Sequence, residues 1–222
     1  MNVTEVMNEL KTRGTAQARK TYLRHGADAD LFGVSYADLK LLKKAIKVDQ
    51  PLAEALWSTG NYDARIFAAM IADPKTISAK CLTNWVKTAT NYPIADAVAG
   101  VAAQSPAGVD LMTRWTASKN EWIASSGWSL LAGLAIHATD QDDSLFSARI
   151  TTIESTIHAS KNRVRHTMNG ALISIGIYKP GLRDQALAAA SRIGKVLVDH
   201  GDTSCKTPEA VPYIQKALAR KA

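Results

Sequence analysis

Along nearly the whole chain, apolar residues recur at intervals of three and four, the spacing that lines one face of an α-helix. In SYADLKLLKKAIKV, Leu39, Leu42 and Ile46 fall on one stripe with lysines opposite, and Ser35 stands where an N-cap belongs. MNVTEVMNELKTRG shows the same amphipathic period at the start of the chain. QPLAEALWSTG closes on Gly60, a residue that adopts the left-handed conformation ending many helices. NYDARIFAAMIADP starts at a capping Asn61 and stops at Pro74. No alternating strand pattern is present; the KVLVD run around Val196 is too short and ends a helical pattern. The expected fold class is all-α.

Aligning the turns exposes an internal repeat. WSTGNYDARIFAAMIADP, WVKTATNYPIADAVAGVAAQSP, WTASKNEWIASSGWSLLAGLAIH and IHASKNRVRHTMNGALISIGIYKP each run from an amphipathic helix, through a short polar turn, into an Asn-led helix of small apolar residues. The leading asparagines are Asn61, Asn91, Asn120 and Asn162, and ASKN occurs at both Ala117 and Ala159. A pair of helices with this period buries its apolar faces only by stacking on the next pair. The pattern therefore predicts an α-solenoid, a superhelix of antiparallel helix pairs. In such a stack the second helix of each pair lines the inner face, which would gather Asp96, Trp122 and the KNRVRH segment on one side of the molecule.

Composition adds little to the fold and more to the partner. With 222 residues, a single domain spanning 1–222 is expected, and three phenylalanines among abundant alanine favour closely packed helices over a β-sandwich. Cys81 and Cys205 lie far apart with no metal-ligand spacing, and no Gly-rich phosphate loop is present, so neither a metal nor a cofactor is expected. No run is long and apolar enough to cross a bilayer and no secretory leader is visible, so a cytoplasmic, monomeric protein is expected. The net charge of +7 favours a polyanionic partner.

Two segments carry candidate chemistry. SKNRVRH places Lys161, Arg163, Arg165 and His166 in the opening turns of a helix, where the helix dipole disfavours cations by a few tenths to about 1 kcal/mol. Either a phosphate sits there on the side chains and free amides, or acids of the neighbouring repeat neutralise the turn. Lys119 takes the matching position one repeat earlier and Lys87 lies near the one before that, so the cations would form a stripe along a nucleic-acid backbone. In TNYPIADAVAGVAAQSP, Asp96 is a lone acid among small apolar residues, with Tyr92 one helical turn before it. It either bonds backbone groups inside the packing, or faces a ligand and stabilises positive charge there. In VDHGDTSCKTPEAVPYIQK, Thr207 reads as an N-cap with Pro208 at the first helical position, and Lys206 as a phosphate contact.

FGVSYADLKLLKKAIK, LWSTGNYDARIFAAMIADP and the Asp-bearing helix that follows together resemble the bacterial AlkD-like DNA alkylation repair proteins, built from HEAT-like repeats. The resemblance spans most of the chain. It implies a positively charged groove for alkylated double-stranded DNA and a glycosylase activity, in which N3- or N7-alkylated purines are released without metal or redox cofactor. By position, the family's catalytic acid falls on Asp96 and a Trp four residues before it on Tyr92. A family Arg that contacts DNA near the lesion aligns with Ser125, and a second groove Trp aligns near Ala171, so the chain reads as a divergent member. The resemblance thus implies Asp96 and Tyr92 as catalytic. Trp122, Lys119, Ser125, Lys161, Arg163, Arg165 and His166 complete the expected DNA contacts, most of them from the repeat pattern itself. The alternative from another class is a non-catalytic solenoid that binds DNA or a protein on its inner face.

Overall fold

Helix starts are written into this chain as short polar side chains, and the computed structural model, which describes residues 1–138 and 142–220, follows them closely. The helices are α1 (Val3–Arg13), α2 (Ala16–Arg24), α3 (Tyr36–Ile46), α4 (Gln50–Ser58), α5 (Tyr62–Ile71), α6 (Ala79–Lys87) and α7 (Tyr92–Ala102). They continue with α8 (Gly108–Thr116), α9 (Glu121–His137), α10 (Asp143–Thr156), α11 (Asn162–Tyr178), α12 (Arg183–Ile193) and α13 (Ala210–Ala219). Among the described residues there is no strand, so the all-α class holds. The amides that open a helix have no partner within it, and the expected caps supply one. Ser35 accepts from Asp38 N at 3.1 Å, Asn61 from Ala64 N at 3.1 Å, Asn91 from Ile94 N at 3.1 Å and Asn120 from Ile123 N at 3.2 Å. Gly60 has the expected positive φ of 80°.

The packing divides the protein into two compact units: Met1–Ala107 with Gly201–Thr203, and Gly108–His200 with Ser204–Ala222. In the first, α4 packs on α5, α5 on α3 and α7, and α6 on α7. Leu10, Leu39, Leu56, Phe67, Ile71, Leu82 and Ile94 are fully buried between them. Trp57 and Trp85, on the first helices of successive pairs, stack in parallel with centroids 4.3 Å apart. In the second unit, the long helices α9 and α11 pack along each other, with α8 on α9 and both α12 and α13 on α11. Gly127 makes the α8–α9 contact possible: a Cβ there would lie 2.5 Å from the backbone nitrogen of Thr116.

One buried carboxylate holds the first unit together. Asp63, 1% exposed on α5, accepts from the backbone amides of Phe32 at 2.6 Å, Gly33 at 3.0 Å and Val34 at 2.8 Å. These residues form the loop that leads into α3. Asp63→Ala would leave these amides without their acceptor, and at about 1–3 kcal/mol for each buried unsatisfied group the loss should reach at least ~3 kcal/mol. Urea unfolding of Asp63→Ala and Asp63→Asn measures it, with the amide variant the milder because it keeps one oxygen. An unchanged midpoint in Asp63→Ala would remove the anchor from the account.

Candidate functional site

Helix α7 sorts its side chains by spacing. Asn91 caps it, Pro93 sits in the first turn where no intrahelical amide bond is lost, and Ile94, Ala95, Val98 and Ala99 turn into the core. Tyr92, Asp96 and Gly100, each four residues on, are left on one edge, and all three line a cavity of about 770 Å³ in the first unit. Tyr22, His25, Tyr36 and Tyr62 line it as well, with Ile66, Met70 and Val101 supplying apolar wall. Its rim is open to solvent, since Tyr36, Lys43, Val48, Gly100 and Gln104 are exposed.

The ring walls are held in place. Tyr22 donates its hydroxyl to the Val34 carbonyl at 2.8 Å and lies 5.5 Å, centroid to centroid, from Tyr62. His25 Nδ1 is hydrogen-bonded to the Tyr92 hydroxyl, and the two rings meet edge to face at 6.0 Å. Burial, and then the negative charge of Asp96, raise the Tyr36 phenol above its ordinary value. Burial, then Tyr36 and Asp63, push Tyr22 up to about 12. Tyr62 is raised further in the same direction, first by burial and then by Tyr36 and Tyr22. All three therefore stay protonated at neutral pH and present hydroxyl donors and electron-rich faces. A carboxylate set among such faces is complementary to a flat, positively charged group.

The KNRVRH segment lies in the second unit and is bound into it. Lys161 stands at the N-cap of α11 without a side-chain cap bond, and its Nζ donates to the Lys119 carbonyl at 2.8 Å. Glu121 caps the helix from the preceding repeat, accepting from Arg163 N at 2.7 Å. Asn162 is the first residue of α11 and, unlike the three earlier asparagines, does not cap it. Its side chain instead donates to the Asp199 carbonyl at 2.7 Å and accepts from Asp199 N at 2.8 Å. Arg165 donates to Asn162 Oδ1 at 3.4 Å, and both arginines are half-buried. His166 and His200 both bond the Thr207 hydroxyl at 3.0 Å, their rings edge to face at 5.4 Å. Thr207 is consequently not the expected N-cap; Glu209 precedes α13, and Pro208 presents its carbonyl to Asn169 Nδ2 at 2.9 Å. Among the described residues, no three His, Cys, Asp or Glu side chains gather as a metal site would need.

With this geometry in view, a family model described as DNA alkylation repair enzyme matches residues 4–214. The chain belongs to that family. Uncharacterized protein Lin0241 of Listeria innocua and uncharacterized protein Lmo0209 of Listeria monocytogenes are each 28% identical over 218 residues, covering 96% of this chain and 95% of theirs. A solved structure is similar at a TM-score of 0.92 and 34% identity, over 100% of this chain and 95% of that one. It represents a new family of proteins related to the HEAT-like repeat DNA glycosylases with affinity for branched DNA structures. The fold of this DNA alkylation repair family member is accordingly of the HEAT-like repeat type.

The expected site residues fall into two groups. Asp96 and Tyr92 share the cavity of the first unit; Trp122, Lys119, Ser125, Lys161, Arg163, Arg165 and His166 belong to the second. Ser125 differs from the expectation of an exposed contact: it is 0% exposed, its hydroxyl bonded to the Trp122 carbonyl at 3.0 Å, so it packs inside the unit. Trp122 is half-buried and Lys119 exposed. Sequence reasoning missed Tyr22, His25, Tyr36 and Tyr62. A signal for two of them was present: SY at 35–36, NY at 61–62 and NY at 91–92 each place a tyrosine directly after a capping residue.

His166 gives this family member a measurable pH signature. Burial, then the positive charges of Arg163 and His200, lower it from an ordinary value near 6.5 to about 4. Protonation thus favours the unfolded chain, and the stability contributed by neutral His166 is full above pH 6.5 and lost as pH falls through about 4. Histidine ring shifts followed by NMR should show His166 still neutral at pH 5.5, and the fall in stability over this window should shrink in His166→Asn. Titration near 6.5 would mean that the ring is not enclosed as described.

Proposed function

We propose that this chain is a DNA-binding protein of the alkylation repair class that engages branched DNA, and that the Asp96 cavity receives a nucleotide from it. The observation that carries this reading is the likeness over the whole chain to a structure whose family has affinity for branched DNA. The net charge of +7 supports a polyanionic partner. At a branch, bases have lost part of their stacking, so moving one into a cavity costs less than extracting it from a continuous duplex. Lys119, Lys161, Arg163 and Arg165 are the phosphate contacts expected in the second unit. Lys161 and Arg165 donate to neutral groups, the Lys119 carbonyl and Asn162 Oδ1, and Glu121 accepts from Arg163 N.

The surroundings of Asp96 favour a second, finer reading: hydrolysis of the N-glycosidic bond of alkylated purines. An alkylated purine already carries positive charge, so it leaves with the bonding electrons and needs no general acid. The sugar becomes oxocarbenium-like as the bond breaks, and Asp96 with the tyrosine faces would stabilise that charge. A water adds to C1′ and gives its proton to Asp96 or to solvent. The protein's own residues thus suffice for the step.

One set of measurements separates the readings. Binding to a three-way junction should be tighter than to a duplex of equal length, and log affinity should fall linearly with log salt, by about 0.9 per phosphate contact. Asp96→Asn should leave junction affinity unchanged. If the chain is also a glycosylase, base release from methylated duplex should fall by about 10²–10³ in that variant. No release by the parent protein, beside an active relative, removes the hydrolytic reading and keeps the first; equal affinity for junction and duplex removes the branch preference.

A further inference from the structure

Helix α3 carries a feature that neither the cavity nor the family assignment uses. Lys40, Lys43, Lys44 and Lys47 follow the i, i+3, i+4, i+7 pattern and therefore share one face. All four are exposed. Tyr36, one turn before Lys40, stands on the same face, and both Tyr36 and Lys43 line the Asp96 cavity. The stripe thus runs along one edge of the cavity mouth.

Among the described residues, no acid is paired with it. Asp38 is the acid of this helix, and its carboxylate receives the Ser35 hydroxyl at 2.5 Å and pairs with Arg13 at 3.8 Å. Among the described residues, none of the four ammonium groups enters a hydrogen bond or ion pair. Like charges three and four residues apart repel, so the arrangement works against the helix that carries it. The helix dipole favours cations in the last turn and so accounts for Lys43 and Lys44. It favours Lys47 at the C-cap as well, but it does not account for Lys40 in the middle of the helix. Lys47 holds φ at 67° at the C-cap, a conformation glycine adopts freely and lysine does not. Exposed Leu41 and Val48, 56% and 57% accessible, lie beside the stripe and offer apolar contact to an unstacked base or sugar.

We propose that the lysine face of α3 is a phosphate track that guides a DNA strand to the Asp96 cavity, with Lys43 at the mouth. From Lys40 to Lys47 the helix rises about 10 Å, over which one strand of B-form DNA advances about three phosphates. The inference rests on the DNA-binding reading and adds to it a contact surface on α3, a helix from which no DNA contact was expected.

The test compares Lys40→Glu/Lys44→Glu with Lys75→Glu/Lys80→Glu, two exposed lysines of the same unit outside α3. Neither pair lines the cavity. Anisotropy of a labelled three-way junction across a salt series gives affinity and salt slope, and circular dichroism checks the helices. The α3 variant should lose at least about tenfold in affinity and one to two units of slope, near 0.9 for each contact removed. Lys40→Ala/Lys44→Ala, which raises helix propensity, should lose the same slope without charge reversal. Equal affinity and slope in parent and α3 variants overturns the inference alone. Equal losses in the control pair overturn it too, since net charge would then be the cause. A parent protein that binds no DNA removes the DNA-binding reading and the track with it.

Discussion

The grip of α5 on the loop before α3 is the interaction on which the candidate site depends. Asp63 takes the amides of Phe32, Gly33 and Val34, Tyr62 N donates to the Asp30 carbonyl at 2.9 Å, and Asn61 Nδ2 reaches the Asp30 carboxylate at 3.0 Å. The first turn of one helix thus fixes the path of a segment about 30 residues earlier. That path sets where Ser35 caps α3, hence where Tyr36 and the lysine face stand. Tyr22 is tied to the same loop through the Val34 carbonyl, so two of the tyrosine walls inherit their position from one buried carboxylate.

Two aspartates on neighbouring helices show how environment assigns a role. Asp63 is sealed and meets an array of backbone donors, the arrangement that makes a buried charge tolerable. Asp96 is half-buried and stands on the wall of an open cavity, with enough charge reaching Tyr36 to raise its phenol. The same side chain is a structural anchor in one repeat and an electrostatic feature in the next. The difference lies in what the preceding loop presents: amides converging on α5, rings converging on α7.

What was legible in the sequence was what is decided within a few residues. Ser35, Asn61, Asn91 and Asn120 cap the helices they were expected to cap, and Tyr92 and Asp96 share a face because four residues make one turn. What was not legible depends on distant partners. His25 meets Tyr92 across 67 positions, and Asp63 meets its loop across about 30. Thr207 has the local signature of a cap, but two imidazoles compete for its hydroxyl and α13 starts later. Ser125 was placed at DNA by alignment alone, and its helix position turns it inward. The tyrosines after the caps were visible as a pattern, yet only the packing of α3, α5 and α7 makes one cavity of them.

The two cation clusters reverse an expectation drawn from helix dipoles. Cations at the start of α11 are locally unfavourable, which argued for an external anion. Part of the answer is internal: Glu121 occupies the end of the helix where an anion belongs, and Lys161 is spent on a carbonyl. The α3 lysines drew no attention because cations near a helix C-terminus are ordinary. Yet that cluster, rather than the one at the unfavourable end, borders the cavity, and among the described residues no acid is paired with it. Dipole arguments locate charge that needs explaining, and only the positions of opposite charges decide whether the explanation lies inside the protein or in a partner.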